Sequence, residues 1–239
     1  MYQANRGFLW VGLAILLVLA PCAFGQGSVS LSLTSGGPYT MNGVYVGPYT
    51  GTVNGHSAQI ICDDYSHDSY VNESWTANVT SMSNLSSSST PMWSSKSNSS
   101  TLYADAAYLA SEMFDSKNQS SSAEGALAFA LWSLFNPNAL NGLNSTQLAA
   151  VQAVLNGIPA GLTPGQYANF FIYTPDLSKP ITCNGGTCPT APPQEFFGFI
   201  SAPEGGSAIS YLLLAGLSCF GAIWVRSRRQ TGVLDRELA

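Results

Sequence analysis

Polar and apolar residues alternate where the chain leaves its first apolar stretch. Val29, Leu31 and Leu33 are interleaved with serines and a threonine. A period of two puts one set of side chains on each face of a strand, so this is a half-buried β-strand. Gly36-Gly37-Pro38 breaks it. From Gly43 to Val53, β-branched and aromatic residues are punctuated by glycines, which predicts short strands joined by tight turns. Gln59 to Cys62 and Trp75 to Thr80 are further strands. The period then changes. Leu102, Ala106, Leu109, Ala110 and Met113 fall on one stripe at helical spacing, predicting a helix over 102–114. Ser121 and Glu124 have capping-box spacing and open a helix over 126–135 that is apolar on all sides and therefore buried. Asn136-Pro137-Asn138 stops it. Ser145 caps a third helix through Leu155, with Asn156-Gly157 as its end. Strands return at Tyr167 to Tyr173 and Glu195 to Ile200. The fold class is α+β: an antiparallel sheet domain with a central helical insertion.

Between the strands and the helices lies residues 86–101, where nine of sixteen positions are serine. This predicts a mobile loop with one embedded hydrophobic residue, Trp93.

The two ends have a different pattern. Phe8 to Ala20 is an unbroken run of apolar residues and glycine, preceded by Arg6 and followed by Ala23-Phe24-Gly25. Such a run is too short for a helix across a ~30 Å hydrocarbon core but suits a signal peptide over 1–25, cleaved before Gln26. An uncleaved anchor and a lipidated Cys22 are the competing readings. Residues 207–225 carry no charge. As a helix they would extend ~28 Å, enough to cross a thin bilayer. Arg226, Arg228 and Arg229 follow and act as the membrane stop signal, holding that end and residues 230–239 in the cytoplasm. The intervening domain, 26–201, is expected outside the membrane.

Composition narrows the function. Charged residues are 9% of the chain, against ~25% in ordinary soluble proteins. Between the two apolar ends only Lys96, Lys117 and Lys179 oppose eleven acids. Such a surface repels a phosphate backbone, so nucleic acid is excluded as a partner.

The tail from 202 to 229 has three parts: Pro203-Glu204-Gly205, an apolar span, and the arginines. It resembles the PEP-CTERM sorting signal of Gram-negative bacteria, with Gly205 where that family usually has a second proline. The resemblance implies recognition at Pro203, Glu204 and Gly205 by the membrane protease exosortase. It further implies release to the cell surface or extracellular matrix, with exopolysaccharide a candidate partner. The domain itself resembles the exported thioester-domain proteins. The resemblance lies in Cys62-Asp63-Asp64 at a strand end, a run of helices, and Phe129-Ala130-Leu131-Trp132. That group bonds a cysteine to a glutamine two residues before the alanine. Here the position is Ala128, which has no acyl group, so the scaffold is expected without the covalent chemistry.

Three cysteines remain in the domain. Cys183 and Cys188 enclose Asn184-Gly185-Gly186-Thr187 and outside the cytoplasm read as a small disulfide loop. Cys62 is either a buried thiol or an alternative partner for one of them. Cys62, Asp63, Asp64, His67 and Asp68 could be drawn as a metal site, but they mix soft and hard ligands and no second cluster completes them. A polar strand end is the simpler reading, so no metal or cofactor is expected. A secreted hydrolase using His67 and a serine lacks any G-x-S-x-G elbow. Six N-x-S/T sequons, at Asn72, Asn78, Asn84, Asn98, Asn118 and Asn144, mark exposed polar surface where glycosylation is open. The expected function is that of a non-enzymatic surface or matrix protein. An adhesin or saccharide-binding protein on the thioester-like scaffold is the alternative.

Overall fold

The computed structural model describes residues 27–115, 117, 119–183 and 191–199. The signal segment, the sorting residues Pro203, Glu204 and Gly205, the span 207–225, Arg226, Arg228 and Arg229, and Cys188 all lie outside the described residues. Among the described residues no helix is long and apolar enough to cross a membrane.

The described residues form nine strands: β1 (Ser28–Ser35), β2 (Tyr39–Met41), β3 (Val44–Val46), β4 (Tyr49–Val53), β5 (His56–Cys62), β6 (Glu73–Ser81), β7 (Phe170–Pro175), β8 (Thr182–Cys183) and β9 (Phe196–Phe199). Three α-helices, α1 (Ser99–Phe114), α2 (Ser121–Phe135) and α3 (Ser145–Asn156), are inserted between β6 and β7. The mixed α and antiparallel β character read from the sequence is therefore present. Its architecture is more specific: the main sheet runs β1-β4-β5-β9-β7-β6, and β6 pairs back onto β1 to close a barrel. Every pairing is antiparallel. The short β8 pairs with β6 at Glu73 and Ser74, on the side away from β1 and beyond the end of β7. Closure removes the exposed edges that an open sheet would present.

Turn chemistry explains the hairpins. Asn42-Gly43 joins β2 to β3 and Asn54-Gly55 joins β4 to β5, all four residues at positive φ. Two-residue turns of this kind match the twist of the flanking strands and require left-handed backbone, which Asn and Gly tolerate.

The register assigns side chains to two layers. Leu31 pairs with Trp75, Tyr49 with Ile60, and Cys62 with Phe196. These residues face the barrel interior, where the Phe196 ring meets Trp75 at 5.8 Å and Tyr49 at 5.9 Å. The alternate residues of β5, β9 and β7 face outward and are covered by helices. Phe197 meets Tyr103 of α1 at 6.0 Å, and Phe170 lies 6.2 Å from Phe114. Helix α2 is buried continuously from Glu124 to Trp132, as its all-apolar sequence requires. The β2–β3 hairpin lies across its first turns: a Cβ on Gly125 would sit 2.2 Å from Met41 Sδ. Only glycine lets these two elements approach so closely.

Helix starts differ from the sequence reading by small, explicable shifts. The N-cap of α2 is Ser120, whose hydroxyl accepts from Ala123 N, one residue before the expected Ser121. Glu124 is thereby moved out of capping position and into the core. Helix α3 is capped by Asn144 in a reciprocal box with Gln147, not by Ser145. Helix α1 starts at Ser99, earlier than the apolar stripe indicates.

The serine-rich segment is built into the fold. It begins within a 3-10 turn, Met82–Ser87, capped by Ser81 and anchored by buried Met82 and Leu85. Trp93 stacks on Phe135 at 5.6 Å and 16°. The backbone N–H of Met92 donates to Glu195 Oε2 at 2.8 Å, and that of Trp93 to the Tyr103 hydroxyl at 3.0 Å. The stretch read as a serine-rich loop thus carries residues packed on and hydrogen-bonded to the core. Serine content says nothing about partners supplied from 100 residues away.

Candidate functional site: the Cys62 turn and its buried acids

The last residues of β5 enter a turn that gathers the chemistry. Cys62 is 1% exposed and a free thiol, so it is not the partner of Cys183 or Cys188. Its sulfur donates to Asp64 O at 3.1 Å and accepts from Asp64 N at 3.3 Å. Burial pushes this thiol well above its usual range, and the charges of Asp64 and Asp63 push it further. A thiol held protonated is a poor nucleophile and a poor metal ligand.

Trp132 of α2 donates its indole N–H to the Cys62 carbonyl at 2.9 Å. Its ring packs on Tyr65 at 5.5 Å and on Phe129 at 4.9 Å. The strand-end cysteine and the helix tryptophan quoted from the sequence are thus neighbours in space. Ala128, one helical turn before Trp132, is buried.

The acids of the motif separate. Asp64 is fully buried and anchors the turn: its carboxylate accepts from Ser66 N at 2.7 Å and bonds His67 Nδ1 at 2.5 Å. Gln194 donates to the Asp64 carbonyl at 2.8 Å. The His67 side chain is 32% exposed. Ser66 Oγ, beside it, accepts from Asn136 at 3.1 Å. Asp68 is exposed, and His56 sits at the opposite end of β5, also exposed. Among the described residues no three of His, Cys, Asp and Glu converge to hold a metal ion.

Asp63 points the other way. By register it lies on the helix-facing side with Thr174 and Glu195, and its N–H donates to the Glu195 carbonyl at 3.3 Å. Glu195 is fully buried. Its Oε1 accepts from Tyr103 at 2.6 Å, and its Oε2 from Met92 N and from the Thr174 hydroxyl. Neither oxygen of Asp63 has a hydrogen-bond partner beyond the adjacent Glu195 side chain. Burial raises Asp63 well above the carboxylate range, and the adjacent Glu195 charge adds to the effect. Burial also raises Glu195, against the pull of its hydrogen bonds from Thr174 and Tyr103. Sequence reasoning gave Glu195 only as a strand start. Its isolation in an aromatic strand was the available signal.

Cys183 ends β8 and is disulfide-bonded. Its expected partner, Cys188, lies outside the described residues. On the opposite side of α2, a cleft of about 510 Å³ opens between the three helices. Tyr108 and Glu112 of α1, Ala123 and Ala126 of α2, and Ala153 and Val154 of α3 are among its walls.

One further buried acid has a measurable consequence. Glu124 is 1% exposed, its Oε2 has no partner, and a Cβ on Gly47 would lie 3.1 Å from it. Burial raises its pKa from 4.5 to about 7. Because the folded value is the higher one, the neutral carboxyl's contribution is complete below 4.5 and is lost as pH rises through about 7. Glu124→Gln has no such loss. Denaturant titrations are expected to show it more stable than wild type by about 1–3 kcal/mol near pH 8, with the gap closing near pH 4. A pH-independent gap would show that Glu124 is not titrating in the fold.

No protein-family model, no curated protein and no solved structure matches this chain.

Proposed function

We propose that this chain is an exported, membrane-anchored protein, released by exosortase-type processing to a structural or binding role at the cell surface or in the extracellular matrix. The burial of its reactive groups supports the non-enzymatic part of this reading. Cys62, Asp63, Asp64 and Glu195 are each no more than 1% exposed. A group that attacks, protonates or coordinates a substrate must reach it. His67 is the partly exposed member of the cluster, and the serine beside it is engaged by Asn136. The turn therefore acts as a structural clasp between the barrel and α2. The disulfide at Cys183 accords with an oxidising compartment.

Export and processing rest on the two apolar ends and the resemblance of the tail to a sorting signal. The test places one tag before Pro203 and another after Arg229 and follows both through cell fractionation. Separation of the tags, with the first reaching the surface or medium, is the expected result. If both remain on one full-length membrane species in a host with active exosortase, the tail is a permanent anchor and the sorting reading is wrong.

A further inference from the structure

Thr174 and Glu195 are cross-strand neighbours, since the preceding Tyr173 pairs with the following Phe196. Their side chains meet beneath α1 in a pocket that excludes water: Thr174 is 7% exposed, and Glu195, Tyr103 and Asp63 are 0%. The Thr174 hydroxyl donates to Glu195 Oε2. The other carboxyl oxygen, Oε1, is held by the Tyr103 hydroxyl at 2.6 Å. The Asp63 carboxyl lies against the Glu195 side chain, which acts on it through charge and hydrogen bonding, and neither of its oxygens has a partner elsewhere. The ion pairs of the described residues involve His67 and Lys117, so no cation neutralises this pair. A hydroxyl, a carboxyl, a donor on the future carbonyl oxygen and a neighbouring acid are thus assembled at one point.

We propose that Thr174 and Glu195 become joined by an intramolecular ester bond that forms after folding, with Asp63 as the proton donor. Thr174 Oγ adds to the Glu195 carboxyl carbon, and charge developing on Oε1 is stabilised by the Tyr103 O–H. The Thr174 proton passes to Oε2, which already accepts it, and Asp63 supplies a second proton to the same oxygen. The C–Oε2 bond breaks and Oε2 leaves as water. One hydroxyl, one carboxylate and one carboxylic acid become one ester, one carboxylate and one water, with the net charge unchanged and no redox partner needed.

Two effects favour the reaction. Burial raises both carboxyls of the Asp63–Glu195 pair and so favours the protonated form that supplies the acid. Well-oriented intramolecular groups reach effective concentrations of roughly 10⁵–10⁸ M, far above water at about 55 M, so condensation can prevail over hydrolysis in a closed pocket. The bond would clamp β9, the last strand to arrive, to β7. This inference stands apart from export and processing, because it needs only the folded barrel.

The test is the mass of the linked peptides from the full chain, folded at neutral pH, then denatured and digested. A joined species carrying Thr174 and Glu195, about 18 Da lighter than its two peptides together, is the expected result. Hydroxylamine should split it and leave a hydroxamate on Glu195. Thr174→Val should give separate peptides of unchanged mass. Glu195→Gln should still link, losing about 17 Da as ammonia leaves in place of water. Recovery of both wild-type peptides unlinked, with intact masses, would show a hydrogen bond only and overturn the proposal, whatever the variants do.

Discussion

Trp132→Ala should destabilise the domain by about 3–5 kcal/mol in urea or thermal denaturation, the range for deleting a large buried aromatic. Trp132 is 3% exposed. Its ring joins Tyr65 on the Cys62 turn to Phe129 on its own helix. Its N–H also satisfies the Cys62 carbonyl, so the alanine variant leaves both a void and an unpaired buried acceptor. Trp132→Phe separates the two contributions. It keeps ring packing but orphans the carbonyl, and is expected to cost about 1–3 kcal/mol. If the phenylalanine variant is as stable as wild type, the indole hydrogen bond does not hold the turn to α2.

Gly51→Ala should be the more damaging of two single-methyl additions in the same hairpin. Gly51 pairs with Leu33 of β1 on one side and Ala58 of β5 on the other. A Cβ there would lie 2.4 Å from the backbone oxygen of Ser32 and 3.4 Å from Ile60 Cδ1. Backbone in a closed ladder has nowhere to move, so the β1–β4 seam must part. The expected loss is about 3 kcal/mol or more, in the range reserved for strain and overpacking. Gly55→Ala meets nothing within 4 Å but keeps a φ of +79°, and should cost only about 1–2 kcal/mol. Equal melting temperatures for the two variants would contradict the closed β1–β4 contact.

Local pattern was legible and distant partnership was not. The alternation at Val29, Leu31 and Leu33 located β1, and the all-apolar stretch through Phe135 located a buried helix, because both periods are written in adjacent residues. The Asn-Gly turns are similarly local. Closure of the sheet depends on Leu31 meeting Trp75, and no short window contains both. The acids misled for a related reason. Asp63 and Glu195 look like surface residues until the fold brings them together under Tyr103. Their burial also ties the serine-rich stretch to the core, since Glu195 accepts from the backbone N–H of Met92. At the Cys62 turn the fold brings Trp132 onto the Cys62 carbonyl, a contact between residues 70 apart that no local pattern contains. Of the two readings of Cys62, the buried thiol is the one the structure contains.

The order of strands in the barrel sets a timetable for any process that delivers the chain from its N-terminus. β9 fits between β5 and β7, yet it is the last strand in the described sequence. Until Phe199 has emerged, β5 and β7 each present an unpaired edge, and Phe196 and Phe197 are missing from the two layers they later fill. The nascent sheet therefore cannot finish its core early. It must remain incomplete through the three helices and the segment that follows β7, and folding is gated by the arrival of four residues. Dependence on such non-local pairing slows folding and exposes sheet edges meanwhile. A chain stopped short of β9 is expected to be recognised as unfinished, because its barrel has a gap one strand wide.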